Sequence, residues 1–121
     1  MTEKLFSSEL RVMELLWKNG PMSAKELAAE LGESVNWSKT TTYTVIKKCI
    51  EKGAVNRTDP GFLCEASVSQ DEIRKAELFE LMDRLFGGKP DLLVSALIRG
   101  GKITQEQLDG FRSMVAGMEE D

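Results

Sequence analysis

The chain contains no histidine, and this absence narrows the functions that it can have. Histidine is the most frequent general base in enzymes and the most frequent protein ligand of transition metals. The two cysteines, Cys49 and Cys64, are too few for a disulfide framework and show no C-x-x-C or C-x-C spacing. We therefore expect no enzymatic activity, no metal site and no cofactor, and we expect both thiols to stay reduced.

Long apolar runs are also missing from the sequence. None approaches the roughly 20 residues that a helix needs to span a bilayer, and the opening residues, MTEKLFSSE, lack the apolar core of a secretion signal. The sequence therefore predicts a cytoplasmic protein without membrane insertion. Its length of 121 residues fits one domain, or one small domain with an appendage.

Acidic residues outnumber basic ones by 20 to 16, which gives a net charge of −4. The basic residues are nevertheless concentrated in one part of the chain. Residues 35–58 contain five of them, namely Lys39, Lys47, Lys48, Lys52 and Arg57, against the single acidic residue Glu51. A local basic patch on an otherwise acidic chain is typical of a surface that binds nucleic acid.

The N-terminal third of the chain predicts two helices. Ser7 or Ser8 is expected to cap the first helix, and Gly20 followed by proline is expected to end it. Residues 23–26, Ser-Ala-Lys-Glu, fit the capping-box pattern at the start of a second helix. This second helix is predicted to be only about two turns long and to end at Gly32.

A third helix and a hairpin are predicted next. Residues 38–52 show helical periodicity, and the segments 54–58 and 62–68 read as strands on either side of an Asp-Pro-Gly turn. Helix, short helix, helix and hairpin is the element order of a winged helix-turn-helix. We therefore predict a mainly α fold with a small β-hairpin, in which residues 1–68 form a winged helix-turn-helix DNA-binding domain.

The remaining residues, 69–121, predict three further helices. The segment 92–98 is apolar on every side and is therefore expected to be buried. About 50 residues are close to the lower limit for a self-sufficient core, and these expose too much apolar surface to stand alone in water. We therefore predict a C-terminal three-helix homodimerisation domain. Its expected interface consists of large apolar side chains: Leu78, Leu81, Leu85, Leu92, Leu93, Leu97, Ile98, Leu108, Phe111, Val115 and Met118.

Hydroxyl groups are crowded at the start of the third helix, where six of the seven residues 38–44 carry one. At 100° per residue the helix has two distinct faces. The predicted core face contains Thr42, Val45, Ile46, Cys49 and, at its margin, Ile50. The opposite face contains Thr40, Tyr43, Thr44, Lys47 and Glu51, with Lys39 and Lys48 on its flanks.

In a helix-turn-helix the second helix of the motif enters the major groove of DNA. Short hydroxyl side chains can reach phosphates and base edges there, and lysines neutralise phosphate charge. We therefore expect two sets of DNA contacts. The set in the major groove is Lys39, Thr40, Thr41, Tyr43, Thr44 and Lys47, and the set on the DNA backbone is Lys48 and Arg57.

Simpler interpretations of the same residues remain open. The hydroxyls could serve only to cap the helix, and the lysines and Arg57 could be solvated surface residues. Trp17 and Trp37 could stack on bases, although a single tryptophan at helical spacing is more often part of a core. Cys64, on the predicted second strand, could be exposed and sensitive to oxidation, whereas Cys49 faces the core.

Two segments resemble the penicillinase-repressor family, which includes methicillin-resistance and copper-responsive repressors. Residues 37–53, WSKTTTYTVIKKCIEKG, are similar to the family's Trp, Thr-Thr, Thr-Val-Leu and Glu-Lys-Gly pattern. Residues 5–17, LFSSELRVMELLW, resemble its opening helix, with the cadence E-x-x-V-M-x-x-L/I-W. The resemblance departs mildly from this pattern at Lys48 and Cys49, where arginine and leucine are usual.

The resemblance implies a dimeric repressor that binds a palindromic operator. In several family members a membrane sensor protease cuts an Asn-Phe bond in the dimerisation domain, and the corresponding position here is near Ala96 and Leu97. This chain has no Asn-Phe dipeptide, and it has none of the paired C-x-C motifs of the copper-responsive members. A sensor protease is therefore an expected partner by family analogy only.

Residues and resemblance together predict a homodimeric transcriptional repressor whose third helix recognises a palindromic operator in double-stranded DNA. Two alternatives stay open at this point. The winged helix could be a protein-interaction module that binds no DNA, or the chain could be a winged-helix regulator that senses a ligand.

Overall fold

The structure is a computed structural model that describes residues 4–110 and residue 113. The helices are α1 (Ser7–Asn19), α2 (Ala24–Val35), α3 (Lys39–Glu51), α4 (Gln70–Phe86) and α5 (Pro90–Arg99). The strands are β1 (Met22–Ser23), β2 (Val55–Thr58) and β3 (Leu63–Ala66). The predicted mainly α fold with a β-hairpin after the third helix is confirmed.

The start of α1 differs from its prediction, because neither Ser7 nor Ser8 is its cap. The N-cap residue is Phe6, whose backbone N–H donates a 2.8 Å hydrogen bond to Oε1 of Glu9. The side chain that hydrogen-bonds to the backbone at this helix start is therefore a carboxylate in the first turn and not a serine hydroxyl at the cap. The predicted end is confirmed, since the helix stops at Gly20, whose φ is +79°.

The capping box of α2 is confirmed in both directions. Ser23 Oγ accepts from the N–H of Glu26 at 3.1 Å, and the Glu26 carboxylate accepts from the N–H of Ser23 at 3.0 Å. The backbone hydrogen bond from Ser23, followed by the bond from its side chain, lowers the pKa of Glu26 below its ordinary value.

The predicted end of α2 at Gly32 is wrong, because the helix continues to Val35. One glycine inside a helix costs only about 1 kcal/mol, and the three residues that follow are compatible with helix. The helix stops instead at Asn36, which has a φ of +58° in the left-handed region that asparagine tolerates. Only residues 36–38 therefore separate α2 from α3.

The hairpin belongs to a three-stranded antiparallel sheet with the order β1-β3-β2. Met22 is opposite Cys64 in the β1–β3 pair, and Arg57 is opposite Cys64 in the β2–β3 pair. The two-residue strand β1 was not predicted, because so short a segment carries no periodicity. It attaches the chain between α1 and α2 to the hairpin, which we call the wing (residues 55–66).

The chain divides into two compact units, one ending at Arg74 and the other beginning at Lys75. The first unit has its own core. The buried apolar residues of this core are Leu5, Val12, Met13, Leu16, Met22, Ala24, Leu27, Leu31, Val45, Ile46, Cys49, Ala54, Val55 and Cys64. Ile73 also packs against it, so the first turn of α4 belongs to this unit.

The second unit contains the rest of α4, α5 and a helical segment at residues 105–110. Thr104 and Gln107 form a capping box at the start of this segment, with reciprocal hydrogen bonds of 2.9 and 3.1 Å. No described helix combines the length and the apolar character that are needed to cross a bilayer.

The prediction that the segment 92–98 is buried within the chain is wrong. Leu97 is 39% exposed, and Leu92 and Ile98 are each 45% exposed. Leu78 and Leu85 of α4 are exposed as well, Leu81 and Leu93 are half-buried, and Leu108 is buried. The predicted interface residues Phe111, Val115 and Met118 lie outside the described residues.

Candidate nucleic-acid interface

The two predicted faces of α3 are confirmed by burial. Thr42, Ile46 and Cys49 have no exposed surface, Val45 is 7% exposed, and Ile50 is partly buried. These side chains attach α3 to α1 and α2 and fix its rotation about its own axis. The opposite side of the helix therefore faces solvent.

The solvent-facing side of α3 contains a shallow pocket of about 380 Å³. It is lined by five of the eight predicted DNA-binding residues: Lys39, Thr40, Tyr43, Thr44 and Lys47. We call these five residues the outer face of α3. Thr41 and Lys48 are exposed beside it. Seven of the eight residues are thus on or beside one surface of one helix.

Capping accounts for only part of the hydroxyl cluster. Ser38 Oγ accepts from the N–H of Thr41 at 3.1 Å and donates to Oγ1 of Thr41 at 2.9 Å. Ser38 and Thr41 therefore have a structural role at the helix start. Thr40 and Thr44 have exposed side chains on the outer face, where capping does not explain them.

The positive charge of the outer face is not neutralised within the described part of the chain. No carboxylate between residues 4 and 110 lies within ion-pair distance of Lys39, Lys47 or Lys48. The Lys39 ammonium lies 5.7 Å from the centroid of the Tyr43 ring. Among the described residues, three ammonium groups on or beside the outer face thus have no ion-pair partner, and together with the short hydroxyl side chains they form a surface suited to anionic oxygens.

Lys52, which was counted in the basic patch, is not part of this surface. Its side chain is only 14% exposed, and its ammonium group forms an ion pair with the fully buried carboxylate of Glu9 at 2.5 Å. The same ammonium donates to the carbonyl of Lys4 at 2.7 Å and lies 3.9 Å from the centroid of the Phe6 ring. Lys52 therefore joins α1 to the end of α3, and the accessible basic patch is smaller than the sequence suggested.

Arg57 lies on the wing rather than on α3, and its guanidinium group is already occupied. Its Nε donates to the Asp59 carboxylate at 3.1 Å, and its Cζ lies 3.6 Å from the centroid of the Phe62 ring. Phe62 in turn meets Tyr43 edge-on, with centroids 5.7 Å apart and planes at 89°. An aromatic contact therefore connects the wing to the outer face of α3.

Phe62 and Asp59, which contact Arg57 on the wing, were not predicted as parts of the site. Phe62 follows the Asp-Pro-Gly turn, and an aromatic side chain directly after such a turn was the available signal. Its φ of +47° is unusual for a bulky residue and directs the ring toward Tyr43 and Arg57. The partners of Arg57 and Lys52 could not be found from spacing, because ion pairs depend on side-chain direction.

Both cysteines are free and buried. Burial raises the pKa of the Cys49 thiol to about 12 and also raises the pKa of Cys64, against a smaller lowering by Arg57. The expectation that Cys64 could be exposed is wrong, because its side chain points into the core of the first unit and has no exposed surface. Neither thiol has the accessible thiolate that a redox sensor requires.

The tryptophans are parts of the first unit. Trp17 packs against the core and donates from Nε1 to the carbonyl of Val68 at 2.9 Å. Trp37 is half-buried against the same core, just before α3. Within residues 4–110 and 113, no three His, Cys, Asp or Glu side chains form a cluster that could hold a metal ion.

Comparisons with known proteins agree with this geometry. The family model "Penicillinase repressor" matches residues 5–117. The penicillinase repressor of Bacillus licheniformis is 22% identical over 108 residues, which cover 88% of this chain and 84% of the relative. The methicillin resistance regulatory protein MecI of Staphylococcus aureus (strain N315) is 22% identical over 116 residues, which cover 94% of each chain.

Two solved structures resemble this chain as well. The solution structure of the DNA-binding domain of the repressor BlaI has a TM-score of 0.54 at 28% identity, covering 60% of this chain and 93% of that one. The Bacillus licheniformis BlaI monomeric form, in complex with the blaP half-operator, has a TM-score of 0.53 at 27% identity. The match covers 60% of this chain and 90% of the BlaI chain. Because the family model matches nearly the whole chain, this protein belongs to the penicillinase repressor family.

Proposed function

We propose that this protein is a homodimeric transcriptional repressor that binds a palindromic operator with the outer face of α3. The observation that carries the proposal is the composition of that face: exposed threonines and free lysines around Tyr43, on a helix whose other side is fixed in the core. Such a face fits the major groove, where hydroxyls and ammonium groups bind phosphates and base edges.

We assign roles to the seven predicted contacts that lie on or beside the outer face of α3. Lys39, Thr40, Tyr43, Thr44 and Lys47 line the pocket that would face the groove, and Lys48 lies beside it toward the DNA backbone. Thr41 has its hydroxyl in the cap with Ser38, so its contribution would be mainly to hold the helix start. The BlaI structure in complex with a half-operator supports DNA as the partner of a similar domain.

Homodimerisation is supported by the second unit. Its helices leave large apolar side chains in water, including Leu85 at 62% and Leu92 at 45% exposure. A second copy of the chain would cover this surface most economically, since it presents the same apolar face. We propose residues 69–121 as the dimerisation domain and residues 1–68 as the DNA-binding domain. Two copies related by a two-fold axis require half-sites about one helical turn apart, or a multiple of it.

The test compares a lysine on the outer face with one far from it in sequence. Lys47→Ala should weaken binding to every duplex and reduce the slope of log Kobs against log salt by about 1, because one phosphate contact is lost. Lys102→Ala removes another exposed lysine, in the second unit, and should leave the slope unchanged.

Fluorescence anisotropy with a labelled duplex over a range of salt concentrations measures both variants. An unchanged slope for Lys47→Ala would show that this lysine meets no phosphate. Absence of duplex binding by the native chain at low salt would favour the protein-interaction module over the repressor.

A further inference from the structure

The wing contains one arginine, Arg57, and this partly exposed side chain contacts both a carboxylate and an aromatic ring. Nε of Arg57 lies 3.1 and 3.3 Å from the two carboxylate oxygens of Asp59, and Nη2 lies 3.3 Å from Oδ1. The guanidinium plane also lies over the Phe62 ring at 3.6 Å. Arg57 thus has a carboxylate at its edge and an aromatic ring on one face, as guanidinium groups prefer.

Arg57 and Asp59 together have a net charge close to zero. Both side chains are partly exposed, at 45% for Arg57 and 60% for Asp59. An exposed ion pair is weak, so a DNA phosphate could in principle replace the carboxylate. Asp59 is only two residues away at the start of the turn, however, so its negative charge stays close to Arg57 even when the ion pair opens. A phosphate that approached Arg57 would meet the Asp59 carboxylate at a similar distance, and the repulsion would offset most of the attraction.

The position of Arg57 also matters for the outer face of α3. Arg57 covers the Phe62 ring, and the edge-on contact between Phe62 and Tyr43 transmits the position of the wing to α3. Tyr43 lines the pocket together with Lys39, whose ammonium lies above its ring. The contacts therefore run without a gap from Asp59 through Arg57 and Phe62 to the surface that would bind DNA.

We infer that Arg57 is a positioning residue, and that Asp59 holds it on Phe62 and keeps it from acting as a phosphate ligand. This inference rests on the DNA-binding function proposed above, and it changes the role expected for Arg57 from the sequence. Asp59 thereby limits the affinity of the wing for DNA in general. Recognition is left to α3, whose position the wing supports through Tyr43.

The inference predicts that removing the Asp59 carboxylate increases the affinity of the protein for DNA. Asp59→Asn leaves the turn and the side-chain size nearly unchanged but frees the Arg57 charge for a phosphate. The slope of log Kobs against log salt should become steeper by about 0.9 for the added contact. The affinity gain should therefore shrink roughly three- to fourfold between about 50 and 200 mM salt.

A cycle of variants distinguishes a new phosphate contact made by Arg57 from a general loss of repulsion between the Asp59 carboxylate and DNA. The four proteins are the native chain, Asp59→Asn, Arg57→Met and the double variant, and methionine retains an apolar contact with Phe62. The probe is a fluorescently labelled, mixed-sequence DNA duplex of about three helical turns. We expect Arg57→Met alone to leave the slope unchanged, because no phosphate contact is lost, and to lower the affinity roughly two- to fivefold at every salt concentration, because Phe62 loses its cation and supports Tyr43 less well. We expect the double variant to return to the native slope.

Two results would overturn the inference. A slope reduced by about 1 in Arg57→Met alone would show that Arg57 already binds phosphate in the native chain. A gain that persists in the double variant would show that Asp59 acts by general repulsion and not through Arg57. Failure of the proposed function itself would be distinguishable, because the native chain would then bind no duplex and Lys47→Ala would change nothing.

Discussion

The ion pair between Glu9 and Lys52 gives the most demanding test of how the first unit is held together. Both residues belong to segments that resemble the family, one in α1 and the other directly after α3. The Glu9 carboxylate has no exposed surface, and its Oε2 has no hydrogen-bond partner among the residues that the structure describes. Its negative charge therefore depends on the Lys52 ammonium and on the N–H of Phe6.

Lys52→Met leaves this carboxylate buried and without its cation. Removing one partner of a buried ion pair costs about 3–5 kcal/mol. Because Lys52 retains 14% exposure and water can reach the site, we expect the lower end, about 3 kcal/mol. For a unit of this size the melting temperature would fall by roughly 12–24 °C, at about 4–8 °C for each kcal/mol.

A second change separates the charge from the packing. Glu9→Gln in the Lys52→Met background removes the unpaired charge and keeps an oxygen that can accept from the N–H of Phe6. The double variant should therefore be more stable than Lys52→Met by at least about 1 kcal/mol, although it lacks the pair altogether. The control is Arg84→Met, which breaks an exposed ion pair on α4 and should cost less than about 0.5 kcal/mol.

Urea unfolding followed by tryptophan fluorescence measures these free energies, because Trp17 and Trp37 both lie in the first unit. The reasoning is refuted if Lys52→Met costs less than about 1 kcal/mol, or if the double variant is no more stable than Lys52→Met.

Three further predictions concern other buried or exposed groups. Thr42→Val should stabilise the chain by about 1–2 kcal/mol in urea unfolding, because the buried Thr42 hydroxyl has no partner in the structure; a loss of stability would contradict this. The folded state keeps the Cys49 proton up to a pKa of about 12, whereas the unfolded chain loses it near 9, so the free energy of unfolding should fall as pH rises above 9. Cys49→Ala should reduce that fall, and an identical pH dependence would argue against it. Leu85→Glu should weaken self-association in sedimentation without unfolding the chain, since this side chain is 62% exposed; an unaltered dimer would place the interface elsewhere.

Periodicity and turn residues predicted the parts of the structure that depend on local sequence. The two faces of α3 followed from the 3.6-residue repeat, and the wing followed from two short apolar segments around Asp-Pro-Gly. The capping box at Ser23 and Glu26 was also correct, since it depends on residues three apart. In each case neighbours along the chain decide the structure.

The errors concern features that depend on distant parts of the chain. One exception is local: Gly32 looks like a helix end, yet α2 continues to Val35, because one glycine is a small penalty. Lys52 was counted as surface charge, but Glu9, which is 43 residues away, neutralises it inside the fold. The segment 92–98 was expected to be buried, and in the single chain none of its residues is buried, so its apolar character predicts a surface to be covered rather than a core.

Selection of bound duplexes from a random pool by the 121-residue chain tests the central claim most directly. If the outer face of α3 binds the major groove and two chains act together, the selected sites should be two-fold symmetric, with half-sites about one helical turn or a multiple apart. Substituting Thr40, Tyr43 or Thr44 should then change the preferred bases at matching positions of both half-sites. A pool without enrichment, or enriched sites with no symmetry that are insensitive to these substitutions, would contradict the account.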